Sequence, residues 1–245
     1  MAFPHLKSAR LLALILCLLQ ADTELEAAGK WTALVNPAPD AVDTMLLLSD
    51  GTVLAANAGD KNWFQLSPDN KGGYTRGTWR TLASMHDTRL YFSSAVLPDG
   101  RVFVAGGEYG TGKDTAEVYD PVKNQWTYTA YAWQSFSDSV SKILPEGRVL
   151  VAPVGPIPSG TTIIYDPTSN AWLSGGKLFR GSYQDEASWV KLLDDSILTI
   201  DPFGTNSEVY ELEENIGKRI REYVHYAPKI RYITYCILSE RFKIS

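Results

Sequence analysis

The sequence predicts an all-β fold built from repeated four-stranded antiparallel sheets. Three observations carry the prediction. Apolar strand, acidic–Gly turn and apolar strand recur as a unit; a tyrosine and a tryptophan seven residues apart follow it; and both landmarks share a period of about 47 residues. The background composition agrees. Gly and Pro supply 19 and 13 of the 245 residues, and seven Trp and 13 Tyr are spread among the resulting turns. That is the make-up of short strands rather than long helices.

The hairpin unit reads LLLSDGTVLAA at 46–56, AVLPDGRVFVAGG at 95–107 and KILPEGRVLVAPV at 142–154, with KLLDDSILTID at 191–201 as a looser copy. Its acidic turn residues, Asp50, Asp99, Glu146 and Asp195, are spaced by 49, 47 and 49. Asp-Gly between apolar runs marks a tight hairpin, because both residues tolerate the positive φ such a turn needs. The second landmark is EVYDPVKNQW, ending at Trp126, and IIYDPTSNAW, ending at Trp172. Walking back from Trp126 reaches Trp79 and Trp31, so four tryptophans recur at 48, 47 and 46. Each period therefore holds two apolar strands, a strand ending in Tyr-Asp-Pro and a strand opening with Trp. A lone sheet of this size cannot bury both faces, whereas sheets stacked radially as propeller blades can. Met45 to Tyr210 is 166 residues, about 3.5 periods, and predicts a partial propeller.

Two segments flank the repeat region, which spans residues 30–210. Lys7 and Arg10 precede LLALILCLL at 11–19, and small residues follow at Ala27, Ala28 and Gly29. This is the layout of a secretory signal peptide over residues 1–29, and nine apolar residues are too few to span a bilayer. A secreted, extracellular protein is expected, with no membrane association once the signal is removed. Only two cysteines occur, Cys17 in the signal and Cys236 near the end, so the mature fold is expected to stand on packing without an internal disulfide. Residues 211–245 drop the repeat: they hold seven Lys/Arg against five Glu, no Trp and no Asp-Gly. They are read as a loosely attached tail, and Lys218 stands where the fourth unit's Trp is due. An open arc leaves sheet faces uncovered, so self-association of the chain is expected. The alternative is a four-bladed ring in which Trp31 supplies the last strand.

Gly106–Gly107 after RVFVA, with the spaced Tyr119 and Trp126, resembles the kelch motif. The wider runs LYFSSAVLPDGRVFVAGGEYG and QDEASWVKLLDDSILTID are similar to secreted kelch proteins of the galactose-oxidase-like propeller superfamily. The resemblance covers roughly residues 30 to 210. It implies a propeller fold with too few units for the rings that family usually closes, and one enzyme class to weigh. A copper-radical oxidase of that superfamily needs two tyrosines, two histidines and a cysteine bonded to a tyrosine. This chain has three histidines, His5, His86 and His225, and no cysteine between residues 18 and 235. No ligand of the family maps onto a matching position, and His86 in ASMHDTRLYF reads as an exposed loop residue. No catalytic residue, metal site or cofactor is therefore expected; the alternative the resemblance implies is a truncated member of that oxidase family lacking its metal site. SPDNKGGYTRGTW at 67–79 reads as a long hairpin loop.

What remains is a recognition surface. Propeller ligands meet the loops at a channel mouth, so the residues leading into each first strand are the binding candidates: Asp43, Tyr91, Asp138 and Glu186, at 7, 8, 8 and 9 positions before the turn acid. Trp133, Phe136 and Tyr183 lie near the same places. Carboxylates beside aromatics suit a glycan or a cationic peptide. A net charge of −5 with no clustered basic face argues against nucleic acid. The expected function is non-catalytic recognition of an extracellular protein or glycan. Asp120 and Asp166, in the Tyr-Asp-Pro segments, are expected to be turn formers.

Overall fold

In the computed structural model, residues 29–109, 111–112, 114–152, 160–179, 184–201 and 204–212 are described. Nearly all of the expected signal and of the expected tail lie outside them, as do His5, Tyr183 and His225. The chain divides at Leu34, and the part from Val35 onward carries all the described strands. Trp31, expected to open an outermost strand, sits in no strand and is fully exposed.

Fifteen strands form four antiparallel sheets among the described residues. Blade 1 contains β1 (Val42–Leu47), β2 (Val53–Asn57), β3 (Trp63–Ser67) and β4 (Thr78–Thr81). Blade 2 contains β5 (Ser93–Val96), β6 (Val102–Ala105), β7 (Ala116–Asp120) and β8 (Gln125–Tyr128). Blade 3 contains β9 (Val140–Ile143), β10 (Val149–Ala152), β11 (Thr161–Asp166) and β12 (Ala171–Lys177). The fourth sheet holds β13 (Trp189–Lys191), β14 (Ile197–Ile200) and β15 (Ser207–Tyr210). Each sheet is a simple meander, and the first strands β1, β5, β9 and β13 lie beside one another in succession. These are kelch-type propeller blades, arranged as the period predicts.

The second strand of each blade explains the stacking. Successive side chains of a strand point to opposite faces. In β6, Val102 and Val104 enter a core shared with Leu54, Ala56 and Trp63 of blade 1. Phe103 and Ala105 enter a core shared with Val149, Val151 and Tyr165 of blade 3. In β10, Leu150 and Ala152 face Trp189 and Ile197 of the fourth sheet. An unbroken apolar run such as VFVA is thus a strand buried on both faces, and the cores lie between sheets.

The tryptophan period is a repeated clasp. Trp79, Trp126 and Trp172 are each the second residue of a blade's last strand. Their indole N–H groups donate to Asn36 O (3.1 Å), Ala83 O (3.0 Å) and Ala130 O (2.7 Å). Trp126 is buried; Trp79 and Trp172 are half-buried. Two asparagines complete the clasp. Asn124 Oδ1 accepts from Ala83 N and from Tyr119 Oη, and Asn170 Oδ1 accepts from Ala130 N and from Tyr165 Oη. The spaced Tyr and Trp therefore hold one blade to the segment that leaves the blade before it. Asp120 and Asp166 are turn formers, accepting backbone N–H groups two and three residues ahead.

One register assignment is corrected. The fourth hairpin matches the others one residue earlier than its spacing suggested. Asp194 Oδ1 accepts from Ser196 N, as Asp50 accepts from Thr52 N and Asp99 from Arg101 N. Asp195 occupies the glycine position, with φ of 67° where Gly51, Gly100 and Gly147 have 81°, 86° and 89°. Aspartate is among the few residues that enter this region at modest cost, which is why the hairpin survives without its glycine.

Candidate axial cleft

With the register corrected, Tyr91, Asp138 and Glu186 each precede the turn acid of their sheet (Asp99, Glu146 and Asp194) by eight residues. The structure shows the equivalence directly. All three hold a left-handed backbone, with φ of 52°, 49° and 53°. Such a conformation is unfavourable for any residue with a Cβ, so its recurrence at one level of three sheets is imposed by the fold. The lead-in segments are tied together as well: Glu186 N donates to Asp138 O at 3.3 Å.

These three residues line one cleft of about 520 Å³, together with Ser93 and Ser94, Glu108 and Tyr109, and Ser139 to Ser141. Its position follows from Gly106, the first glycine of the Gly-Gly pair. Gly106 has φ of 81°, and a Cβ there would meet Phe136 O at 1.9 Å. The missing side chain lets the segment leading into blade 3 cross against blade 2, which puts Asp138 and Ser139 beside Glu108 and Tyr109. Glu108 N donates to Leu90 O at 2.7 Å and fixes that loop at its base. Arg89, fully buried, holds its far side by donating to Gly106 O, Gly112 O and Thr115 O.

The cleft is electrostatically one-sided. Burial, then the charges of Glu108, Asp185 and Glu186, push the Asp138 carboxyl up to about 6. The neighbouring Glu108 charge also raises the Tyr109 phenol. Hydroxyl groups form the floor: Ser93 Oγ donates to Ser141 Oγ at 2.5 Å, and both residues are buried. Ser139 is 7% exposed and its hydroxyl has no hydrogen-bond partner among the described residues.

Two sequence candidates fall elsewhere. Asp43 is an exposed residue inside β1, where a register shift between Val42 and Met45 offsets it from the other lead-ins. Trp133 is 79% exposed and packs edge-on against Tyr131 at 4.8 Å, outside the cleft lining. Sequence reasoning missed Glu108, Tyr109 and Ser139. Ser93 and Ser141, one period apart at 48 residues, were the available signal for a repeated polar floor.

His86, read as a loop residue, is exposed at the surface but not idle. Its ring stacks on Tyr128, and Nδ1 lies 2.6 Å from Glu117 Oε2. Glu117 and Arg89 form a fully buried ion pair at 2.8 Å. Among the described residues His86 is the only histidine and no cysteine occurs, and no group of three or more His, Cys, Asp or Glu is placed to hold a metal ion. The donors among the described residues do not fit a copper-radical site.

The model of the kelch motif family matches residues 89–130, from the buried Arg89 through the Trp126 clasp. A kelch repeat and BTB domain-containing protein of Caenorhabditis elegans is 35% identical over 104 residues, covering 38% of this chain and 17% of that protein. A kelch repeat-containing protein of the same organism is 33% identical over 104 residues, with the same coverage of each chain. The chain thus spans about a sixth of the length of these curated relatives. Among solved structures, that of YjhT matches 73% of this chain and 66% of its own, with a TM-score of 0.51 and 18% identity, a likeness of fold. The motif, the relatives and the repeated clasp agree: this chain is a kelch-repeat protein of the β-propeller fold.

Proposed function

We propose that this protein is a secreted, non-catalytic recognition module that binds an extracellular protein at the axial cleft. Kelch repeats suggest a protein-interaction role. The observation that carries this reading is the convergence of three equivalent lead-in residues, from three sheets, on one cleft. Ligand sites are typically concave, with a few polar groups held in fixed orientation, and the left-handed backbone at Tyr91, Asp138 and Glu186 supplies that fixity. Tyr91 and Tyr109, 60% and 80% exposed at the rim, offer rigid amphipathic surface of the kind interfaces favour. The secretory reading rests on the residue 1–29 layout. It is checked by expressing the chain with and without that segment and assaying the culture medium.

The recognition reading is tested by screening the full chain against a displayed peptide library and a glycan array. The triple variant Tyr91→Ala, Asp138→Asn, Glu186→Gln serves as counter-selection. Peptide ligands retained by the native chain and lost on the variant are expected. Retention of glycans alone would replace protein with carbohydrate as the ligand. Absence of any variant-sensitive ligand, or copper-dependent release of hydrogen peroxide from galactose, would overturn the proposal.

A further inference from the structure

We infer that the axial cleft accepts a basic side chain, the guanidinium of arginine or the ammonium of lysine, presented by the partner protein. The inference rests on the recognition reading above and specifies its chemistry. Two independent observations lead to it.

The first is unbalanced charge. Glu108, Asp138 and Glu186 line the cleft with Asp185 close by, and among the described residues none that lines it is Lys, Arg or His. Elsewhere four acids pair with a base nearby in the chain, Asp99 with Arg101, Asp120 with Lys123, Glu146 with Arg148 and Asp195 with Lys191, and turn acids such as Asp50 and Asp166 accept hydrogen bonds from the turn. Among the described residues, no ion pair includes Glu108, Asp138 or Glu186. These carboxylates repel one another, and a cation between them would relieve that repulsion.

The second is the Ser139 hydroxyl, enclosed in the cleft wall with no hydrogen-bond partner among the described residues. Buried polar groups are nearly always hydrogen-bonded, and an orphan in a cleft wall marks a place for a ligand atom. Its neighbours Ser93 and Ser141 satisfy each other, so the vacancy is specific to Ser139. A hydroxyl accepts as readily as it donates. Ser139 with the carboxylates therefore forms a set of acceptors spread across the cleft.

Spread acceptors choose the class of cation. No three of these groups converge as a metal ion requires. A guanidinium has five N–H donors in a planar fork and spans separated acceptors, and an ammonium reaches them at the end of a flexible stem. Tyr91 and Tyr109, both exposed, also line the cleft, and an aromatic face favours a cation.

The test uses the full chain and a fluorescein-labelled Gly-Arg-Gly-Arg-Gly peptide, read by fluorescence polarisation at low salt near neutral pH. Peptides with citrulline or glutamate in place of arginine are the comparisons, since citrulline keeps the shape and loses the charge. The arginine peptide is expected to bind at least about tenfold more tightly than either, as the loss of a charge-assisted contact implies. Asp138→Asn and Glu186→Gln are each expected to weaken it by about tenfold, and Ser139→Ala by a few-fold. Asp43→Asn, which removes an equal charge outside the cleft, should leave affinity unchanged. Binding should also weaken near pH 5, where Asp138 is protonated in the presence of Glu108, Asp185 and Glu186, and Asp138→Asn should remove that dependence. Equal binding of the citrulline peptide, or equal weakening by Asp43→Asn, overturns the inference. Variant-sensitive ligands without a basic residue would overturn the cation preference and leave recognition standing; no variant-sensitive ligand at all would overturn both.

Discussion

Trp126→Ala tests whether the clasp holds the blades together. Trp126 is 3% exposed, with its ring 5.3 Å from Trp63 of the preceding blade and 5.0 Å from Tyr119 of its own. Truncating a buried aromatic to alanine costs about 3–5 kcal/mol. The lost indole bond to Ala83 O, worth about 1 kcal/mol, falls within that range. Trp172 is half-buried but meets three rings, Phe103, Phe136 and Tyr165, between 5.2 and 6.2 Å. Trp79 is half-buried with no ring contact among the described residues. The expected order of destabilisation is Trp126, then Trp172, then Trp79, with Trp79→Ala costing about 1–2 kcal/mol as a partly exposed apolar loss. Trp126→Phe keeps most of the packing and removes the donor, so about 1–2 kcal/mol is expected. Urea unfolding followed by far-ultraviolet circular dichroism is the assay, because tryptophan fluorescence changes with the substitution itself. If Trp79→Ala costs as much as Trp126→Ala, or Trp126→Ala costs below about 1 kcal/mol, burial between blades is not what the repeat provides.

Glu117→Ala strands the fully buried Arg89 guanidinium and should cost about 3–5 kcal/mol; a double-mutant cycle with Arg89→Met should show coupling above about 1 kcal/mol, and additive effects would refute the pair. Asp195→Gly restores the glycine found in the other three hairpins and removes a left-handed non-glycine residue, against loss of its exposed pair with Lys191. A gain of about 0.5–1 kcal/mol is expected, and a loss larger than that would refute the register assignment. Asp138 supplies a pH test of stability: its carboxyl stands at about 6 against an ordinary 3.8, so the folded state binds the extra proton between those values. Stability contributed by its protonation is present near pH 4 and lost as pH rises through about 6, and Asp138→Asn should remove that slope; identical profiles for the two proteins would contradict it.

The fold was legible because its determinants are short-range and repeated. An acidic residue next to glycine, flanked by Val and Leu, specifies a hairpin within about ten residues, and the Tyr–Trp spacing specifies the next one. The clasp was half legible. Trp126 and Trp172 stood out by period, whereas Asn124 and Asn170, two residues before each, were not singled out and accept from the segment that leaves the preceding blade. The cleft was legible only at Tyr91, Asp138 and Glu186. Glu108 and Tyr109 follow a Gly-Gly pair found in one unit of four, so no period pointed to them. Their place beside Asp138 depends on the missing Cβ of Gly106, a long-range fact. Asp43 stands apart from the cleft because β1 carries an irregularity that the other first strands lack, and a one-residue offset moves a side chain to the opposite face.

The same residue type does opposite work at the two ends of these hairpins, and the backbone decides which. The Thr52 hydroxyl and N–H donate to Asp50, and backbone N–H groups ahead in the turn donate to Asp120 and Asp166; those hydrogen bonds hold the three carboxyls below the ordinary range. Such an acid is satisfied locally, favours its charged form and stabilises the turn. Asp138 stands at the other end of the repeat, ahead of the first strand, where burial and three acidic neighbours raise it instead. Composition cannot separate these acids, and neither can the period, since both classes recur once per blade. What separates them is the direction of the surrounding N–H groups, which a sequence expresses only through where each hairpin begins. Misplacing the fourth turn by one residue made Glu186 look nine positions out; at the corrected eight it joins Tyr91 and Asp138 at one level. Glu108, Asp138 and Glu186, in no ion pair among the described residues, are thus gathered in a single cleft, and the basic partner proposed above is the chemistry that would answer them.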